Sequence, residues 1–222
     1  MTVRDALAGA ALQRRASADL IATAVRERIL AGDLVSGDPL REAELAQAFG
    51  VARNTVREGL RLLTQGGLAS YEMHRGVTVR RHTPKEVAAV FEVRAILESP
   101  ASRRAGTLDA AEVARLERAL EDSERAAAAG DVKGILTGNL EFHRELVHLL
   151  GNPKLDEIFN QLLAELRLIL TAFDRDVGGP WLARNRELMQ LLRDGDGEAF
   201  RSRLERYLED SRREVVARLE GT

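Results

Sequence analysis

Cysteine is absent from the 222 residues, so disulfides and cysteine-ligated zinc sites are excluded together. The absence agrees with a reducing compartment. Aromatic residues make up only 4%, so the core must be built mainly from Leu, Ala, Val and Ile. No apolar run approaches the ~18 residues that span a bilayer. The N-terminal ALAGAAL run is a minimal apolar stretch with Asp5 in front of it, which argues against a secretion signal. The expected location is the cytoplasm.

What is present points to helices. The chain is 45% hydrophobic and 31% charged, and richness in Ala and Leu at high charge favours helical structure. The net charge of −2 excludes a polycation. Its distribution is uneven, with 12 Lys+Arg against 9 Asp+Glu through His82 and 21 against 26 after it. A slightly basic front on an acidic back suits a DNA-binding head joined to a body that does not bind DNA.

Residues 1–16 read as a flexible extension. A helical pattern starts at Ser17, with Leu20, Ile21, Ala24, Val25, Arg28 and Ile29 on one face. The AGDLVSGDPL stretch ends it. REAELAQAF is a short second helix closed at Gly50, and RNTVREGLRLLTQ a third closed at Gly66-Gly67. LASYE and VTVRR read as strands joined around MHRG. After RHTP the strand signals vanish, and amphipathic helices are expected at about 84–105, 109–129, 132–150, 153–174, 180–194 and 197–220. Pro100 should kink or split the first of these near Ser99. The fold class is therefore mostly α: a helix-turn-helix head with a small β-hairpin over residues 17–82, and an all-α bundle over 83–222.

Three short helices followed by a hairpin make a winged helix-turn-helix, whose third helix can enter a major groove about 12 Å wide. Val56, Leu60 and Leu63 form the buried stripe of that helix. Arg53 and Arg57 lie at i and i+4 on another face, where arginine can pair with guanine or clamp phosphate. Asn54 and Thr55 stand near the helix N-terminus, and His74, Arg75 and Gly76 at the hairpin tip. The segment LREAELAQAFGVARNTVREGLRLLTQGGL resembles the winged-helix signature of GntR-family transcription regulators. That resemblance covers about residues 17–81. It implies that Arg53, Arg57 and the tip His74-Arg75-Gly76 contact operator DNA. Some members carry a further DNA-contacting arginine where this chain has Ala43, and nearby Arg41 is the candidate replacement. The chain also departs from the family at Ala52, which lacks a capping oxygen worth about 1 kcal/mol. Gly59 departs too, where helical glycine costs roughly 1 kcal/mol against alanine. These changes predict a softer third helix or an altered base preference.

The pattern FEVRAILESPAS followed by NLEFHRELVHLLGNPKL resembles the ligand-binding FCD domain of the FadR subfamily, over about residues 84–220. Many such domains hold a divalent metal through one Asp and three His, and through it a carboxylate effector. Here the matching positions are Asn139, His143, Asn185 and Tyr207. One imidazole, two neutral amides and a phenol make a poor set for a divalent metal, so a metal is not expected unless His143 and Asn139 retain a residual site. His148 points about 140° away on the same helix and is no substitute. The polar set should instead hold an organic acid directly, with Arg94 as carboxylate clamp and Arg167 as a second candidate. Arg94 could equally pair with Glu98 one turn away. Trp181 either lines this pocket or anchors the Gly-Gly-Pro loop.

The resulting expectation is a sequence-specific transcription regulator, in the repressor mode common to the family. It would be a homodimer on a palindromic operator, responsive to a small organic acid. Two other classes are open. An architectural DNA-binding dimer would have a dry body and no effector. A metal-dependent enzyme would have to use EFHRELVH, which lacks the i,i+4 histidine pair of HExxH.

Overall fold

The computed structural model describes residues 3–171 and 178–220, with the side chains of 16–171 and 180–220. The chain divides into two units between Arg81 and His82. The first holds α1 (Val3–Leu30), α2 (Glu42–Phe49), α3 (Arg53–Gln65), β1 (Ala69–Glu72) and β2 (Gly76–Val79). Helix α1 begins at Val3 rather than Ser17. The stretch expected to be loose is dominated by Ala, Leu, Arg and Gln, all strong helix formers. The buried stripe of α1 is Ala18, Ile21, Ala22, Val25 and Ile29. Leu20, expected on that face, is 70% exposed, and Arg28 is exposed as well.

Helix α3 buries Val56, Leu60 and Leu63 as its periodicity predicts. Gly59 is buried among them, and its softening effect has a counterpart in packing. A Cβ placed there would lie 3.0 Å from the Ala18 carbonyl oxygen and 3.0 Å from Ile21 Cγ2. Glycine lets α1 approach the backbone of α3 closely. Ala52, at the N-cap, makes no side-chain cap bond, as its missing oxygen requires. The antiparallel hairpin pairs Ala69 with Val79 and Glu72 with Gly76. His74 at its tip adopts φ 67 and Gly76 φ 78. Two residues in the left-handed region turn the chain within three residues. Pro39 bridges to Thr78 beside β2.

The second unit is all-helical: α4 (Pro84–Glu98), α5 (Ala110–Ala128), α6 (Val132–His148), α7 (Pro153–Thr171), α8 (Gly178–Asp194) and α9 (Gly197–Glu220). Local chemistry sets several boundaries. Thr83 and Glu86 form a capping box ahead of α4 with Pro84 in its first turn, and Asp109 and Glu112 form another ahead of α5. Pro100 does split the first helix: α4 stops at Glu98 and a 3-10 segment runs Ser99–Arg104. The expected end of α7 at residue 174, and the first part of the DVGGP stretch, lie outside the described residues. His82 belongs to this unit, with Nε2 2.9 Å from the Glu165 carboxylate on α7.

The core of the second unit joins Leu116 and Leu120 of α5, Phe142 and Leu146 of α6, and Phe159 and Leu166 of α7. It is completed by Trp181 and Leu188 of α8 and Phe200 and Leu204 of α9. Each such buried side chain contributes about 1.5–3 kcal/mol. Trp181 is therefore a core anchor at the start of α8. No helix among the described residues is long and apolar enough to cross a membrane.

The packing at Gly59 predicts the sign of a substitution. Gly59→Ala gains about 1 kcal/mol of helix propensity but overpacks against a backbone oxygen, at a cost of about 1–3 kcal/mol. The head should lose up to about 2 kcal/mol, read as an earlier urea midpoint. A later midpoint would show that α1 is not held against Gly59.

Candidate functional site

On the head, Arg53, Asn54 and Arg57 are exposed on α3, and Thr55 is partly buried. Arg57 is held by Glu42 at the start of α2. Its Nε donates to Oε1 at 2.9 Å and its Nη2 to Oε2 at 2.8 Å. Its Nη1 donates to Asn54 Oδ1 at 3.3 Å. The Arg57 hydrogen bond is the main cause holding Glu42 below the usual carboxylate range, with Arg53 adding to it. Arg41 is exposed and donates to Glu44 at 2.8 Å. Arg61 donates to Glu58 at 3.0 Å. At the hairpin tip His74 and Arg75 are exposed and Gly76 partly buried. Arg75 donates to Glu72 at 3.0 Å.

In the second unit, five of the six residues proposed for a pocket meet in one buried hydrogen-bonded chain. Asn139 and His143 share a face of α6, and Tyr207 projects from α9. Arg94 on α4 donates from Nε to Glu98 Oε1 at 2.7 Å. His143 Nδ1 lies 2.6 Å from Glu98 Oε2, and its Nε2 lies 3.1 Å from Tyr207 Oη. Tyr207 donates to Asn139 Oδ1 at 3.0 Å, and Asn185 Nδ2 on α8 donates to the same oxygen at 2.8 Å. Arg94 is 2% exposed, Glu98 and His143 0%, and Tyr207 and Asn185 1%. Arg167 is not part of this chain: partly buried on α7, it donates to Thr137 Oγ1 at 2.9 Å. His148 is turned away as expected and meets Asp156 at 2.9 Å.

Three further residues belong to the constellation. Glu98 is its central acceptor; the i,i+4 spacing to Arg94 marked it only as an alternative ion-pair partner. Arg184 lies one residue before Asn185, with its guanidinium carbon 5.5 Å from the Tyr207 ring centre. Ser211 is one turn beyond Tyr207 on α9, where a buried hydroxyl continues the same face. In the sequence Arg184 had no signal beyond its place next to Asn185, and Ser211 none beyond its i+4 spacing from Tyr207.

The constellation leaves polar atoms unmatched. Arg94 Nη2, Arg184 Nη1, Asn185 Oδ1 and Ser211 Oγ are buried without a hydrogen-bond partner. Two are cationic donors, one is an amide carbonyl and one is a hydroxyl. Each group left unmatched costs about 1–3 kcal/mol.

Protonation follows from burial and charge. Burial pushes Glu98 up, but Arg94 and then His143 outweigh it and hold the carboxyl below its ordinary value. Burial pulls His143 below the ordinary 6.5; Glu98 opposes this and Arg94 reinforces it. Burial pushes the Tyr207 phenol up, so it stays protonated. A neutral His143 donates from Nδ1 to the Glu98 carboxylate, and its Nε2 is then an acceptor that competes with Asn139 Oδ1 for the single hydroxyl proton of Tyr207. Because His143 is depressed in the folded state, the unfolded chain takes up that proton first as pH falls. Its contribution to stability is therefore whole above about pH 6.5 and declines below it, by up to about 1.4 kcal/mol per pH unit. Glu98 is lowered instead, so its contribution persists through this window and fades only below the ordinary carboxylate value of 4.5. Urea melts near pH 7.5 and near pH 5.5 should show native protein losing more stability than His143→Gln over that interval. Equal losses would mean that His143 is not kept neutral.

Comparison with known proteins agrees with both units. Residues 17–79 match the gntR family of bacterial regulatory proteins, and residues 89–210 match the FCD domain. A probable D-xylose utilization operon transcriptional repressor of Paenarthrobacter nicotinovorans is 28% identical over 193 residues, covering 85% of each chain. The galactonate operon transcriptional repressor of Escherichia coli is 25% identical, over 82% of this chain and 89% of its own. A solved GntR protein from Rhodococcus sp. RHA1 superposes with a TM-score of 0.81 at 29% identity, over 90% of this chain and 97% of that one. The chain belongs to the FCD-bearing, FadR-type branch of the gntR family, and is a DNA-binding transcription regulator rather than an enzyme.

Proposed function

We propose that the protein is a cytoplasmic repressor that binds a palindromic operator as a symmetric homodimer and responds to a hydroxylated carboxylic acid held in its helical body. One observation carries the effector reading: the four buried unmatched atoms around Tyr207. Arg94 and Arg184 are already paired with Glu98 and Glu214, but Arg94 Nη2 and Arg184 Nη1 each keep N–H groups that the oxygens of a carboxylate can accept. Asn185 Oδ1 needs a donor, and a ligand hydroxyl supplies one. Ser211 Oγ can pair with a second hydroxyl. An acid without hydroxyl groups would leave Asn185 Oδ1 unmatched, so the chemistry favours a sugar acid over a simple one. Repressors of galactonate and gluconate operons among the relatives support the same class. An architectural protein without effector would gain nothing from stranding four polar atoms in an apolar bundle.

The body works in this proposal without a metal. The residues at the family's ligand positions do not fit a divalent cation. Asn139 Oδ1 already accepts from Asn185, Tyr207 is held protonated, and His143 Nδ1 is taken by Glu98, so a single imidazole nitrogen is all the set could offer. Arg94 adds a positive charge beside them. Ligand binding can act on DNA affinity only through unequal affinity for two states of the protein.

For the head, the proposed DNA contacts are Arg53, Asn54, Thr55 and Arg57 on α3 and His74, Arg75 and Gly76 at the hairpin tip, with Arg41 at the start of α2. Arg57→Ala should weaken binding to the preferred duplex about tenfold or more with the dimer intact in sedimentation. Unchanged affinity would remove Arg57 from the interface. For the body, galactonate or gluconate at about 100 times its Kd should stabilise the protein by about 2.7 kcal/mol. The gain should be equal with and without chelator and largely lost in Arg184→Ala. A gain that requires a divalent metal would overturn the metal-free site.

A further inference from the structure

Arg57 is exposed, yet its guanidinium is restrained on three sides. Glu42 takes its Nε and Nη2 at 2.9 and 2.8 Å, and Asn54 takes Nη1 at 3.3 Å. A guanidinium carries five N–H groups. With these three engaged, one N–H remains on Nη1 and one on Nη2. The pair with Glu42 is open to solvent, with side-chain exposures of 61% and 31%, and an exposed pair adds little to stability. Its consequence lies in orientation, because bidentate geometry fixes the plane of the guanidinium as well as its position.

A carboxylate here also opposes DNA, since it lies on the helix pair proposed to approach phosphates and cancels one positive charge. We infer that Glu42 is a specificity-determining residue of the head, which holds the Arg57 guanidinium in a single orientation so that only its two remaining terminal N–H groups are offered to a base edge. Two acceptors on one base, as guanine O6 and N7 provide, match that pair. The carboxylate lowers attraction to DNA of any sequence and sharpens the choice between sequences. Glu42 contacts the reading residue, not the DNA, so it is a positioning residue. Arg53 also acts on Glu42, which places the carboxylate between two like charges that would otherwise repel. The inference rests on Arg57 being a base contact, and its test separates the two.

The test uses the full chain and a pool of randomised duplexes. Selection and sequencing define the preferred duplex, and fluorescence anisotropy then compares it with a scrambled duplex at several salt concentrations. Glu42→Gln should lower the preferred-to-scrambled affinity ratio about tenfold, at the positions that Arg57→Ala also flattens. Its binding to scrambled DNA should be equal or tighter, with a salt slope steeper by about one ion. Adding Glu42→Gln to Arg57→Ala should cost no further discrimination, because both act through one contact. Glu42→Asp keeps the charge but shortens the reach, and should lose discrimination without gaining scrambled affinity. Circular dichroism melts matching the native protein confirm that each variant is folded. Unchanged or sharper discrimination in Glu42→Gln, with Arg57→Ala flattened, overturns the inference and makes Glu42 a competitor of DNA. Unchanged discrimination in Arg57→Ala overturns the base-contact reading and the inference with it.

Discussion

Arg94 and Glu98 form an ion pair with almost no access to water. Taking two charges out of water costs several kcal/mol per ion, and their attraction offsets this only when the remaining polar atoms are also satisfied. The arrangement of the body follows that constraint. The second carboxylate oxygen of Glu98 needs a donor, and His143 on α6 provides it. The other nitrogen of His143 meets Tyr207 on α9, and Tyr207 and Asn185 converge on Asn139. Four helices are thus tied through one line of polar contacts inside an otherwise apolar bundle. Removing a single partner would strand a buried charge, at about 3–5 kcal/mol.

The same line is incomplete on the side of α8 and α9, where Arg184, Asn185 and Ser211 keep unmatched atoms. Completing it with a ligand would add contacts among α4, α8 and α9 at once. That is the physical basis on which a small acid can favour one packing of these helices over another. The head follows a contrasting rule. Arg57 is exposed and Glu42 partly so, and solvent screens their attraction, so the pair matters for direction rather than for folding.

Much of the architecture was legible because its determinants are local. The split at Pro100 and the hairpin glycine Gly76 each act within a turn or two of themselves, and the helix starts expected near 84 and 109 coincide with the capping boxes that the structure shows at Thr83 and Asp109. Helical periodicity likewise placed Val56, Leu60 and Leu63 inside. Failures occurred where the deciding partner is distant in sequence. Leu20 fits the apolar face of α1 by spacing, but the packing of α1 on α3 adds Ala18 and Ala22 to Ile21, Val25 and Ile29 instead. Gly59 reads as a flaw in a helix until Ala18 and Ile21 are seen against it. The start of α1 was misplaced because a serine cap signal at Ser17 outweighed the propensity of the residues before it. In the candidate site, Asn139, His143, Asn185 and Tyr207 were marked by resemblance, and Arg94 by its chemistry. Arg184 and Ser211 carried no pattern of their own, and Arg167 carried a charge without the packing that would bring it to the others.

The central claim is that arginines, not a metal ion, hold the effector. A crystal structure of the protein with bound galactonate or gluconate, with anomalous data collected to detect metals, tests it most directly. The account predicts the carboxylate against Arg94 Nη2 and Arg184 Nη1, a hydroxyl on Asn185 Oδ1, and no anomalous peak within reach of His143. A divalent ion on His143 Nε2 bridging to the carboxylate would contradict it.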